Sequence, residues 1–488
     1  KIELSSPISM RLPEIKSLLE RDRKNILASA DEILSGVYHP FGGEIRSLVF
    51  EDWSSPALHW SAVGDRVNGV DIKWLWEPAR FSWAFDLVKA WILKEDDRYV
   101  RFFWDRFHEF NQHNPVNSAP NWTSAQEVGL RLLTWLMVYQ VFRDSLATTD
   151  MDRQALIKAV WQHAARIPST LGYARSQNNN HLLSESLALI AAGQIFSNVS
   201  RRARNWQKLG LRQFNRGILD QIETDGTYSQ HSANYHRMML QLGLIYNDYA
   251  QNTQTEIPRQ VSQKLAAATR WITAQLDPAS GRLPNLGHND GSLPLPMGCR
   301  EFRDYRPTAQ AASLAFLGEA CLLPGPWDEL SLWLGLDPNQ KPIDSTDCPA
   351  VHQLVKGDTR AILRGVQFHG RPAHADQLHV DLWWDGINIA LDAGTFCYNC
   401  ESPWQNPFSS TLVHNTISVD DEDQMLKAGK FLWLKQAQAH WLHENDDEIC
   451  AGHNGYKRMG LDHERTLRLE NSEQVLVSDL LTFAHNDD

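Results

Sequence analysis

No stretch of this chain approaches the roughly 18 uninterrupted apolar residues that a membrane-spanning helix needs, so the sequence offers no candidate span. Positive charge is also short: 47 Lys and Arg face 59 Asp and Glu, for a formal net charge of −12. Phosphate backbones require a dominant basic face, which argues against a nucleic-acid partner. The densest cationic run, Arg201, Arg202, Arg204 and Lys208, reads as the solvated start of a helix. Cysteine is scarce. Cys299, Cys321, Cys348, Cys397, Cys400 and Cys450 all fall in the last two fifths, without paired metal-type spacing. Cys397 and Cys400 form a CxxC, but it follows a strand-like segment instead of opening a helix, which disfavours a thioredoxin-like reading. The chain opens on Lys1 with no basic-then-apolar leader, so any targeting peptide is expected to be absent or already removed.

What is present is helical periodicity from about residue 10 to 320, as in Val128, Leu132, Leu133, Leu136 and Met137. Further helices are expected over 182–195, 238–249 and 261–276. Tryptophan is abundant, with 19 in all, and Trp74, Trp76, Trp83, Trp104 and Trp122 sit in polar company, where an indole can stack on a sugar or simply pack. Pro, Gly and Asp accumulate at 322–349, the mark of a boundary. Beyond it the period falls to two, with strands expected over 359–363, 379–384, 387–391, 416–419 and 474–478. The expected plan is a helical domain over 1–325, a linker over 326–349 and an antiparallel β domain over 350–488 that continues past Asp488.

Four clusters can carry chemistry. Asn178, Asn179, Asn180 and His181 precede an apolar helix; one Asn caps a helix, and an amide beside an imidazole can also grip a carboxylate. Tyr228, His231, Tyr235 and His236 follow, where a phenol can act as general base once neighbouring positive charge lowers its pKa. Asn285, His288, Asn289 and Asp290 lie in a Gly-rich loop, by default a set of turns. His374, Asp376, His379, Asp392 and His414 include two imidazoles and a carboxylate on adjoining expected strands, a ligand set that suits zinc unless these are ordinary strand positions.

NNNHLLSESLAL, HSANYH, HADQLHVDLWWDG followed by LDAGT, and VHNTISVD resemble, in order, the motifs of the heparinase II/III-like family of polysaccharide lyases. DIKWLWEPARF and NWTSAQEVGLR resemble its upstream helical motifs, so the likeness runs over about 70–420. It implies an (α/α) toroid, an incomplete helical barrel, followed by an antiparallel β-sandwich. It further implies that Asn180 and His181 neutralise a uronate carboxylate and that Tyr235 takes or delivers the proton. His374, Asp392 and His414 match the family's metal triad, and its eighteen-residue step from His to Asp is kept between 374 and 392. Where many members carry His-x-His, this chain has Pro372 at the first position. The second proton-transfer role then falls to His181, His369, His379 or a β-domain tyrosine such as Tyr398.

The implied reaction is β-elimination on a glycosaminoglycan-like or alginate-like polysaccharide, the work of a carbon–oxygen lyase. Trp76, Arg80, Trp122, Arg131, Asn179, His236 and Asn289 are expected to line the substrate. One divalent metal, zinc by its ligands, is expected to hold the β-domain loops, with no organic cofactor. A polymeric substrate favours a secreted or periplasmic protein. Three other readings stay open: a uronyl C5-epimerase, a non-catalytic acidic-glycan-binding protein, and a glycoside hydrolase drawing on Glu127, Glu185 or Asp290.

Overall fold

The computed structural model describes residues 2, 4, 9–40, 43–51, 58–62, 64, 66–67, 70–298, 301–343, 348–401 and 403–483. The helices sort by sequence pattern into inner and outer. Ala125–Phe142 and Asn180–Phe196, apolar along most of their length, are buried almost all round, and Ala233–Thr253 is buried as fully with the polar Asn234, His236, Arg237 and Gln241 enclosed. Asp97–His113 and Arg201–Gln221 bury one stripe and present charge outward, as one-sided helices do. Glycine sets the closest approach between layers. A Cβ on Gly193 would fall 2.5 Å from the Gln207 Cβ, and one on Gly210 would fall 2.6 Å from the Ser186 carbonyl. Helices Asn180–Phe196 and Arg201–Gln221 therefore lie backbone to backbone, as expected of a toroid built from inner and outer helices.

The stretch expected as a linker begins as structure: Pro326–Asp328 and Glu329–Trp333 form short helices, and Leu330, Leu332 and Trp333 join the helical core. Pro and Gly punctuate there without separating. No helix among the described residues is long and apolar enough to cross a membrane.

The second half is antiparallel. Gln353–Lys356, Thr359–Leu363, Val380–Trp384 and Ile387–Ala390 make one four-stranded sheet in chain order. Ala439–Glu444, Glu448–His453, Leu461–Asn471 and Gln474–Phe483 make another. Inward residues of both meet in one cluster, Leu354, Ala361, Leu363 and Val380 against Ile449, Ala451, Leu467 and Leu469, the alternation that period two dictates. Residues 416–419 form no strand; Val419 makes only an isolated bridge to Glu422. The fold is thus an (α/α) toroid followed by an antiparallel β-sandwich. Arg360 ties the two, donating to the carbonyls of Gln275 and Ala274 at 2.9 and 3.1 Å.

Candidate active site and metal centre

Three consecutive asparagines do three different things. Asn178 takes a left-handed conformation (φ 48°) that ends helix Leu171–Gln177, a conformation Asn tolerates better than most residues. Asn179 caps the next helix, its side chain accepting from the His181 amide at 3.1 Å. Asn180 is left with its amide nitrogen 3.0 Å from the Met238 sulfur, a weak acceptor that a ligand oxygen can displace. His181 follows at the helix start, half-buried, with Nδ1 3.9 Å from the Glu185 carboxyl one turn on. Burial lowers its pKa against the opposing pull of Glu127 and Asp290, so the imidazole is neutral at neutral pH. Glu185 is 2% exposed, and burial lifts its carboxyl to about 8 against Arg166.

Tyr235 sits in the first turn of Ala233–Thr253, whose cap Ser232 accepts from the Tyr235 amide at 3.0 Å and donates to the His288 carbonyl at 2.5 Å. The 284–296 loop is thereby bolted to the helix start. Only glycine serves at Gly287 (φ 68°), since a Cβ would collide with the His231 carbonyl. From the β region, the 391–406 loop brings the Tyr398 hydroxyl to 3.5 Å from that of Tyr235. Both phenols are nearly buried. Burial first, then Asp290 and the facing phenol, hold the Tyr235 pKa well above its ordinary value. Burial and Asp290 do the same for Tyr398. This corrects the expectation that nearby positive charge lowers it. Lys73, its ammonium 5.4 Å from the Tyr398 ring centroid, gives its charge to Asp290 at 3.3 Å and donates to the Asp290 carbonyl at 2.5 Å. Coulombic attraction to Lys73 and Arg80, together with hydrogen bonds from Ser292, holds Asp290 ionised despite its burial.

Several residues expected to touch substrate are placed elsewhere. Arg80 is spent on carboxylates: Nε and a terminal nitrogen grip Glu127 at 2.6 and 2.9 Å, and the other terminal nitrogen meets Glu77 at 2.9 Å. Arg131 is fully buried, donating to His163 and to the carbonyls of Ala79 and Asn121. Trp122 is 1% exposed with its indole N–H on the Asn114 carbonyl. His236 stacks on Trp271 and bonds the Ala268 carbonyl. Asn289 folds its carboxamide onto its own loop, accepting from Gly291 and donating to Asn285. Trp76 alone of the expected aromatic contacts is half-buried, its N–H on the Pro120 carbonyl. His369 and His379 line a separate cavity of about 410 Å³ between the helical and β regions, with Asn178, Ser229 and His231 but neither phenol. Lys73 was not singled out by the sequence reading, although it lies in a motif that was.

The metal triad is assembled, though on loops and not on strands as expected. His374 precedes strand Val380–Trp384, Asp392 follows Ile387–Ala390, and His414 follows the single turn Thr411–Val413. Short sheet strands end where the chain must turn inward, and the turns deliver the ligands. Their donor atoms lie within 4.8 Å of one another. The His414 Nδ1 is 3.4 Å and the His374 Nδ1 3.8 Å from the Asp392 oxygens, too long for hydrogen bonds. Both nitrogens of each imidazole and one Asp392 oxygen are buried without a hydrogen-bond partner. Orphaned buried donors and acceptors are costly, and this set fits a divalent metal.

The heparinase II/III N-terminus family model matches residues 20–292 and the heparinase II/III-like C-terminal model matches 350–488, so the chain belongs to the heparinase II/III family. No curated protein matches it. Among solved structures, it resembles a heparinase III at 17% identity and TM-score 0.60, covering 93% of this chain and 70% of that one. A second heparinase III gene product gives 18% and 0.59, over 94% and 70%. Heparan sulfate lyase HepC from Pedobacter heparinus gives 19% and 0.53, over 94% and 69%.

Proposed function

We propose that this protein is a polysaccharide lyase that cleaves a uronate-containing, glycosaminoglycan-like chain by β-elimination. The observation that carries the reading is the pair of protonated phenols, Tyr235 and Tyr398, at the helix rim that also holds Asn180 and a neutral imidazole. Two titratable groups driven apart in pKa are a general acid and a general base in waiting. His181 takes the C5 proton; the C4–O electron pair leaves with the oxygen; Tyr235 gives that oxygen its phenolic proton. The Tyr398 hydroxyl then faces the transient phenolate, and proton return from His181 resets the site. Asn180 hydrogen-bonds the uronate carboxylate as the enolate forms. Lys73, Glu127, Asn180 and Tyr235 all sit in the first turns of helices, whose N-terminal dipoles favour an anion.

His374, Asp392 and His414 are proposed to hold one zinc ion, which would pin three loops of the sandwich. The proton steps use other side chains, and no organic cofactor is needed. A polymeric acidic substrate and the disulfide between Cys397 and Cys400 favour a secreted or periplasmic setting. The test is a panel of uronate polysaccharides followed by the ultraviolet absorbance of the unsaturated product. Chromophore from at least one member supports the reading. Solvent deuterium entering at C5 without chain shortening would instead identify an epimerase.

A further inference from the structure

Tyr398 has an unusual address: it lies between Cys397 and Cys400, which are joined by a disulfide. Among the described residues of the segment around it, from strand Ile387–Ala390 to the turn at Pro407–Ser409, none lies in a helix or strand, so backbone ladders do not fix them. One backbone and two side-chain hydrogen bonds hold the small loop. The Asn406 backbone amide donates to the Cys397 carbonyl at 2.8 Å. The Asn399 carboxamide donates to Asp71 at 2.9 Å and accepts from Lys430. Asp71 in turn accepts from the Lys73 amide at 3.0 Å, so the loop is anchored to the helix start beside Asp290. The ring of Tyr398 packs edge-on to Phe431 and His288.

We propose that Cys397 and Cys400 are positioning residues for the proton-transfer pair: their disulfide closes the loop that sets the Tyr398 hydroxyl against Tyr235. The proposal rests on the lyase reading. A structureless loop loses backbone freedom as its residues are ordered, and a covalent closure across the tyrosine removes part of that loss in advance. Cys397 and Cys400 are only half-buried as residues, whereas of the described free thiols Cys348 and Cys450 are buried and Cys321 is half-buried. A water-soluble phosphine therefore has access. It attacks one sulfur, the S–S bond breaks, and water supplies the oxygen of the phosphine oxide and the protons of two thiols. Glutathione disulfide reverses the change by thiol–disulfide exchange. Reduction leaves every catalytic side chain chemically intact and frees only the loop that positions Tyr398.

The experiment measures turnover of the wild type, the double variant Cys397→Ser/Cys400→Ser and Tyr398→Phe, each with and without the phosphine, metal content being checked throughout. Misplacing a catalytic group by ~1 Å costs up to about a hundredfold, and the expected loss for reduced wild type is about tenfold in kcat with KM nearly unchanged. Reoxidation restores it. The serine variant matches reduced wild type and ignores the phosphine, and Tyr398→Phe loses nothing further on reduction. A drop of the same size in the Tyr398→Phe background, or none in wild type, overturns the proposal. Amide hydrogen exchange decides independently of turnover: reduction should speed exchange over 395–406 and leave Ala233–Thr253 unchanged. Unaltered exchange in the loop overturns the positioning role, whereas absence of product in every redox state overturns the lyase reading instead.

Discussion

Tyr235 and Tyr398 stand 163 residues apart in the chain and 3.5 Å apart at their hydroxyls. Tyr235 was legible through HSANYH, a motif that resembles the family's. Tyr398 sits in no periodic segment, and it was named only as one β-domain alternative once Pro372 stood where many members carry His. Since Tyr235→Phe keeps the ring and removes the proton, turnover is expected to fall at least about a hundredfold with folding intact. Circular dichroism and steady-state rates check this, and activity within a few fold of wild type would contradict it. Glu185 makes a second prediction at this scale. Its folded pKa is about 8, against about 4.3 in an unfolded chain. Across that window the folded state keeps a proton that the unfolded state has released, so stability contributed by this group falls as pH rises. Glu185→Gln lacks the titration, and its melting temperature should gain on wild type from pH 5 to 8 by calorimetry. A gap that does not change with pH would remove the neutral carboxyl from the account.

Helices and loops explain why some sites were readable and others were not. Apolar periodicity announced the inner helices, and their first turns are where Asn180, His181 and Tyr235 emerge. Periodicity says nothing about which arginine is already satisfied. Arg80 and Arg131 look alike in sequence, yet Arg80 is held by two carboxylates and Arg131 by a histidine and two carbonyls. Breaking a buried ion pair from one side costs about 3–5 kcal/mol, so Arg80→Ala should destabilise the toroid by that order in urea unfolding. A rise in KM with unchanged stability would return Arg80 to the substrate. The metal ligands were found by residue type and spacing, but not their placement on loops: His374 lies well ahead of strand Val380–Trp384, and no strand forms over 416–419 beside His414. An ion held as proposed would tie three loops, so chelation should lower the melting temperature by several degrees, and His414→Ala should do so without chelator. Metal analysis accompanies the scan; a protein with no stoichiometric metal and an unmoved His414→Ala transition would leave the triad as plain buried polar residues.

At the scale of the whole molecule, the change from period 3.6 to period two placed the toroid before the sandwich. The packing of Leu330 and Trp333 into the helical core was hidden, since Pro and Gly look the same at the end of a domain as inside its last turn. The two regions together put a protonated phenol pair and a neutral imidazole on one rim, an arrangement suited to moving a proton off carbon and onto oxygen without water as reactant. The most direct measurement is the mass of the paired products from a uronate oligosaccharide of defined length. Elimination adds nothing, so the two fragment masses should sum to that of the intact chain, with the unsaturated fragment one water lighter than its hydrolytic counterpart. Fragments whose sum exceeds the parent by one water would contradict the account, because the bond would then have been cut by hydrolysis.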